Sequence, residues 1–276
     1  MLASLVSQLF RKKKQHRNVV RDRLDILHEQ FPEMDLGHCQ TICDVEAYTM
    51  TSPERLMALC EATEYVINHE VPGDIVECGV WRGGSMAAVA RTIINLDTSI
   101  RELWMYDTYE GMSEPTDKDV DFLGRDAAHL LATENQQIID DPTSIWCNSP
   151  LSGVKATMQE TGYNSDYIRY VVGKVEETLP QQVPDQIALL RLDTDWYEST
   201  KCELEHLFPR LVPGGVLIVD DYGHWEGCRR AVDEYFADHG IKFLLNRIDY
   251  TGRIGVKSVA SDAAGLKDSL TSKRVA

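Results

Sequence analysis

Apolar positions recur along this chain in two rhythms: short continuous runs, and stretches where they return every third or fourth residue. The runs fall at 74–78, 103–106, 168–172, 187–192 and 216–219, and each predicts a buried strand. Between them lie helical stretches. Thr51-Ser52-Pro53-Glu54 is a helix start, with Ser52 as cap, Pro53 at the first helical position and Glu54 at the positive end. Leu56, Leu59, Cys60, Thr63 and Val66 follow at helical spacing. Further helices are expected over 85–94, 123–138, 152–161, 198–210 and 226–239. Residues 1–45 read as polar and irregular, with a helix over 18–30, then a loop with Pro32 and Gly37 as breakers. Pro213-Gly214-Gly215 reads as a turn into the strand at 216. Near the end, 241–248 and 252–258 read as two strands joined through Tyr250-Thr251-Gly252. Five strands alternating with helices, then a hairpin, predict an α/β doubly wound sheet: seven strands, mostly parallel, with an antiparallel terminal hairpin. We expect an N-terminal segment over 1–47, one domain over 48–260 and a frayed polar tail over 261–276. The breaker-rich insertion 112–150 reads as a lid or binding loop.

Two of the strands end on paired acids. Leu189 to Tyr197 reads LLRLDTDWY and stops on Asp193 and Asp195; Val216 to Asp221 reads VLIVDD and stops on Asp220 and Asp221. Buried strands that end on carboxylates are costly unless those charges have a partner or a task. Side by side, they predict a hard-cation site at the C-terminal ends of the strands, where open α/β sheets hold their ligands. The strand at 74–78 runs into Gly79, Gly83 and Gly84 and then a helix, the opening unit of a nucleotide-binding sheet. Neither GxGxxG nor GxxxxGK[ST] is present there, so a P-loop is excluded. Glu77 either receives a ligand's hydroxyl or positive group, or is an exposed residue beside a tight turn. Asp107, at the end of the second strand, sits where such folds bind ribose hydroxyls; the other reading is a cap.

Composition narrows the field. With 43% hydrophobic and 26% charged residues, the 276-residue chain can bury a sizeable core. A net charge of -16 argues against nonspecific nucleic-acid binding. The 7 cysteines are scattered without a CxxC pair, which disfavours structural zinc and suits reduced thiols in a cytoplasmic protein. The start MLASLVSQLF precedes RKKKQHR, the reverse of a signal peptide, and no run reaches transmembrane length. Residues 1–17 read as a frayed basic terminus or a weak surface-binding helix.

The segments VPGDIVECGVWRGGS, DTYEGM, LLRLDTDWYEST and VPGGVLIVDDYGHWEGCRRAVDEYF closely resemble the macrocin O-methyltransferase family, from about Tyr48 to about Ser258. The resemblance implies a Rossmann-like class I methyltransferase fold and methyl transfer from S-adenosylmethionine to a sugar hydroxyl on a natural product. It implies cofactor contacts from Met50, Thr51, Glu77, Gly79 and Ser85, with Asp107 on the ribose. It implies Mg²⁺ held by Asp193, Asp220 and Asp221, and Asp195 as general base, with His224 the other base candidate. It also implies a homo-oligomer and a small-molecule sugar-bearing acceptor.

The chemistry fits: a sugar hydroxyl is a poor nucleophile when neutral, so a cation and an adjacent proton acceptor are what it needs. Several alternatives stay open. Asp195 could instead cap the helix that begins near Glu198, and His224 could be an ordinary surface residue. Trp196 and Trp225 could wall the acceptor site or belong to the core. A catechol or phenol acceptor would use similar acids, and a non-catalytic cofactor-binding protein would bind S-adenosylmethionine without turnover.

Overall fold

A computed structural model of the chain describes residues 23–96, 100–133 and 146–258. Seven strands form one sheet in the order β3-β2-β1-β4-β5-β7-β6. They are β1 (Asp74–Cys78), β2 (Leu103–Asp107), β3 (Ile168–Val172), β4 (Ile187–Leu192), β5 (Leu211–Val219), β6 (Asn246–Arg247) and β7 (Arg253–Val256). β1 to β5 pair in parallel, and β7 is antiparallel to both β5 and β6. The strand order reverses direction at β1 and β4, which opens a crevice at their C-terminal ends.

Period-two alternation sends neighbouring residues of each strand to opposite faces. Ile75 and Leu189 therefore join one apolar layer, and Val76 and Leu190 the other. The first layer packs under the helical residues 23–30 (α1), α2 (Leu36–Val45), α3 (Pro53–Asn68), α4 (Gly84–Asn95) and α6 (Leu151–Thr161). The second packs under α5 (Ala127–Thr133), α7 (Val175–Thr178), α8 (Tyr197–His206) and α9 (Glu226–Asp238). Burial on both faces explains why the parallel strands read as unbroken apolar runs.

The expected doubly wound architecture is present, with four local corrections. Residues 31–45 are not a loop: α2 starts after Asp35, whose carboxylate accepts the Gly37 N–H, and buries Cys39, Ile42 and Val45. Pro213-Gly214-Gly215 lies inside β5, where the register against β4 shifts between Ile187 and Leu189. Residues 175–178, between the expected strands at 168–172 and 187–192, form a short helix that was not among those expected. The terminal hairpin is much shorter than expected, because residues 241–245 pack Phe243 against Phe208 and Phe236 instead of pairing as a strand. Parts of two expected helices, 18–22 and 134–138, lie outside the described residues, as do residues 1–17 and the tail 261–276. No helix among the described residues is long and apolar enough to cross a membrane. All seven cysteines lie among the described residues, and none is in a disulfide.

Candidate active site

The ends of β1, β2, β4 and β5 open into a cleft of about 310 Å³. Met50, Thr51, Gly79, Ser85 and Asp107 line one part; Asp193, Asp195, Asp220, Asp221 and His224 line the other.

The cofactor half is built on backbone. The Asp193 N–H donates to the Cys78 carbonyl, so β1 and β4 stay paired up to the rim. Gly79, at φ +83°, lies so close to this crossing that a Cβ would sit 1.9 Å from the Asp193 carbonyl oxygen; no side chain fits there. Asp107 accepts the Val80 N–H (2.6 Å) and Trp81 N–H (3.0 Å) on one oxygen and the Tyr109 N–H (2.7 Å) on the other. Its carboxylate therefore shapes the glycine turn while facing the cleft. Thr51 reaches across to the first turn of α4, with its Oγ1 3.4 Å from Ser85 Oγ.

The acidic half is built on charge. In the β1–β4 register Glu77 lies opposite Arg191, so their side chains share a face, and Asp193 follows two residues on. Arg191 is 2% exposed. Its Nη1 donates to Glu77 and to Asp193, each at 2.6 Å; its Nη2 donates to Asp220 at 2.6 Å and to Thr51 Oγ1 at 2.9 Å. Arg55, from the start of α3, grips the other oxygen of Asp220 and also Asp249. Glu77 is thus buried rather than exposed, and one of its oxygens has no partner.

Asp193, Asp195 and Asp221 each bring a carboxylate oxygen within 4.8 Å of the others. Asp220 stands outside this triplet, held by its two guanidiniums. Five carboxylates (Glu77, Asp193, Asp195, Asp220, Asp221) face only two guanidiniums, a surplus of negative charge that a divalent cation would offset. Burial pushes the Asp195 carboxyl up to about 7, aided by Asp193; a hydrogen bond with Asp221 pulls the other way. Asp221 is raised well above the usual carboxylate range by burial and by the Asp195 and Asp193 charges, and its Oδ2 is an orphaned buried atom. Such closely spaced carboxylates hold a proton between them unless a cation takes its place. Hard oxygen donors in this arrangement fit Mg²⁺.

Comparison with known families and structures decides what the cleft belongs to. The family described as macrocin-O-methyltransferase (TylF) matches residues 15–255. The chain belongs to this family. It is an O-methyltransferase. It is 36% identical over 206 residues to the 8-demethyl-8-(2,3-dimethoxy-alpha-L-rhamnosyl)-tetracenomycin-C 4'-O-methyltransferase of Streptomyces olivaceus, covering 75% of this chain and 74% of that one. It is 35% identical, over 75% of this chain and 77% of the other, to the mycinamicin III 3''-O-methyltransferase of Micromonospora griseorubida. Among solved structures, the O-methyltransferase NovP superposes with a TM-score of 0.66 at 30% identity, covering 77% of this chain and 83% of that one. The calicheamicin methyltransferase CalS11 shares the fold, with a TM-score of 0.55 at 21% identity over 73% of this chain and 78% of that one.

Of the residues singled out from the enzyme's sequence, all but Glu77 line the one cleft. Asp195 does not cap α8: Trp196 occupies the cap position, and the Tyr197 N–H donates instead to Asp119. Asp195 adopts a left-handed backbone at φ +68°; Trp81 and Cys147 on the cleft wall share that region. Strain of this kind gathers where function over-determines geometry. Trp196 and Trp225 answer to both readings, being buried, packed edge to face at 4.9 Å and on the cleft wall. His224 is half-buried, which lowers its pKa and favours the neutral ring; its Nδ1 lies 3.2 Å from the Tyr250 hydroxyl.

Sequence reasoning missed Arg191, Arg55 and Tyr250. Arg191 carried a signal, since an arginine inside the run LLRLD must be buried with partners. Arg55 and Tyr250 carried none, because their partners are distant in sequence.

Proposed function

We propose that the enzyme transfers a methyl group from S-adenosylmethionine to a hydroxyl of a sugar carried by a natural-product glycoside, with Mg²⁺ held by Asp193, Asp195 and Asp221. The observation that carries this reading is the convergence of those three carboxylates, in excess of their cationic partners, on the floor of the cleft that Asp107 and the glycine turn border. The rhamnosyl substrate in the name of the Streptomyces olivaceus relative supports the sugar class.

Within this reading the chain's own groups divide the work. Glu77, buried behind the cleft lining with one unpartnered oxygen, holds Arg191, whose other terminal nitrogen bonds Thr51 on the cofactor side. Asp107 lines the cleft with one weakly occupied acceptor position on Oδ1 for a ribose hydroxyl, while its backbone bonds hold the turn. A divalent cation would supply the Lewis acidity that brings an acceptor hydroxyl's pKa down toward neutrality. Asp195 also takes the hydroxyl proton as general base, through the carboxylate oxygen that the cation would leave free. When the Tyr250 hydroxyl donates to His224 Nδ1, the ring proton sits on Nε2, so His224 donates to an acceptor oxygen instead of removing its proton. Asp220 keeps Arg191 and Arg55 in place beneath the cluster. Closed around its reactants, the cleft acts mostly by positioning them and stabilising charge.

The test is transfer of labelled methyl from S-adenosylmethionine to a rhamnoside and to catechol, before and after chelation and with Mg²⁺ restored. Turnover on the rhamnoside that chelation abolishes and Mg²⁺ restores is expected. Chelator-resistant turnover would remove the metal from the account, and methylation of catechol alone would remove the sugar.

A further inference from the structure

Beneath the acidic cluster lies a carboxyl that the chemistry above does not use. Glu203, on α8, is 0% exposed and does not line the cleft. Its Oε1 accepts the Thr194 hydroxyl at 2.8 Å, and its Oε2 is a buried oxygen with no hydrogen-bond partner. The Cys78 thiol, at the end of β1, lies against the same carboxyl. Burial raises Glu203 well above the usual carboxylate range, which favours the neutral acid, so it adds no charge to the cluster.

Packing does not ask for a carboxyl at this point. The layer that α8 joins is built from apolar side chains, among them Cys78, Leu192, Leu204 and Leu207. A buried polar group left short of partners weighs against folding, and an apolar side chain of similar shape would fill the space without that cost. A carboxyl placed there with one oxygen idle points to the task of the other.

That other oxygen holds a corner of the chain. Thr194 stands between Asp193 and Asp195, two of the three converging acids. On one side of it, the Asp193 N–H donates to the Cys78 carbonyl at 2.9 Å. On the other, the Thr194 carbonyl accepts the Trp196 N–H at 2.8 Å and the Ser199 hydroxyl at 3.3 Å. Asp195 then turns into its left-handed conformation at φ +68°. These bonds fix backbone. The Thr194–Glu203 bond fixes the side chain between the two acids, and through it the direction in which the corner turns. A left-handed residue keeps its conformation only when its surroundings over-determine it.

We propose that Glu203 is a positioning residue for the cation site. Through the Thr194 hydroxyl it holds the 193–195 corner in the shape that keeps the Asp193 and Asp195 carboxylates converged, whether or not a ligand is bound. Partners of metal ligands act in this way, setting the direction of the ligands without touching the ion. Here the hold runs one step further out, through the backbone of a residue that is not itself a ligand. The inference rests on the cation reading above and adds the group that pre-shapes that site.

Calorimetric titration of Mg²⁺ into the chelator-treated enzyme with S-adenosylhomocysteine bound tests it, alongside urea denaturation of the same proteins. Glu203→Leu and Thr194→Val should each weaken Mg²⁺ binding about 10–100-fold. Glu203→Gln and Thr194→Ser keep the acceptor and the hydroxyl, and should hold Mg²⁺ affinity within about threefold of the native value. The affinity for S-adenosylhomocysteine should not change in any of the four. Thr194→Val combined with Glu203→Leu should lose no more than the worse single variant, because both break one contact. The urea midpoint of that double variant should not fall, since the two polar partners leave together. Without metal, hydrogen exchange over 193–197 should quicken in Glu203→Leu and not in Glu203→Gln. Reduced stability with unchanged Mg²⁺ affinity would make Glu203 a structural tie and overturns the proposal, and so do additive losses in the double variant. A native enzyme that binds no Mg²⁺ overturns the cation reading, and this inference with it.

Discussion

At the end of β2, Asp107 has three backbone N–H donors and shapes a turn. At the ends of β4 and β5, Asp193, Asp195 and Asp221 crowd together, with an orphaned oxygen on Asp221 and two guanidiniums shared among five acids. Both regions look alike as sequence, an apolar strand stopping on aspartate. The difference is who satisfies the carboxylate. Backbone donors fix the cofactor half whether or not a ligand is there, whereas the acidic half is left with negative charge that its own guanidiniums do not offset. A strand-end acid is thus a ligand candidate in proportion to what its own protein leaves unpaired.

Replacing Asp221 with Ala is the sharpest way to break that contrast. Turnover should fall roughly a thousandfold or more, the several kcal/mol expected of a Lewis-acid site. Cofactor affinity by calorimetry should stay within about twofold, so a variant that lost cofactor binding instead would erase the division into halves. Asp195→Asn removes the base and one charged metal ligand together and should cut kcat by about 10²–10⁴ even at saturating Mg²⁺; if His224→Ala did this and Asp195→Asn did not, the base moves to His224. Arg191→Leu leaves Glu77, Asp193 and Asp220 without their buried partner. It should cost about 3–5 kcal/mol in urea denaturation, and a neutral result would mean the acids are protonated and need no arginine.

On the other side of the comparison, Asp107→Asn keeps the shape but weakens the acceptor. It should cost about 1–3 kcal/mol of stability and weaken S-adenosylmethionine binding, while metal affinity is unaffected. The smallest effect is pH dependence. Burial raises Glu77 to about 8 and Asp195 to about 7, above the range of about 4 expected when unfolded. Folding therefore takes up protons: the stability from these groups is complete below about pH 4 and is lost as pH rises through about 7 and 8. Thermal midpoints of the chelated protein should drop by a few degrees between about pH 6 and pH 9, and Mg²⁺ should stabilise more at the alkaline end. A midpoint that rises with pH under chelation would contradict the shifts.

The sheet was legible because parallel strands buried on both faces leave unbroken apolar runs, and the cleft because its residues stand at strand ends. α2 escaped because its buried face mixes Cys39, Ile42 and Val45 with His38 and Thr41, and because Gly37 looks like a breaker when it is a first-turn residue capped by Asp35. The resemblance implied both Asp220 and Asp221 as metal ligands, and which of the two faces a guanidinium was not legible in the sequence. Adjacent acids differ only in direction, and here Arg55, 165 residues from Asp220 in sequence, decides that Asp220 turns toward guanidinium. Tyr250 was read as part of a turn; only the fold brings its hydroxyl to His224.

The central claim is that the strand-end carboxylates are a cation site. Anomalous diffraction from crystals of the enzyme grown with Mn²⁺ and S-adenosylhomocysteine tests it most directly. The account predicts one strong peak with oxygens of Asp193, Asp195 and Asp221 at about 2.0–2.3 Å, the range for small hard divalent cations. A cleft without a peak, or a peak ligated by Asp107, would contradict it.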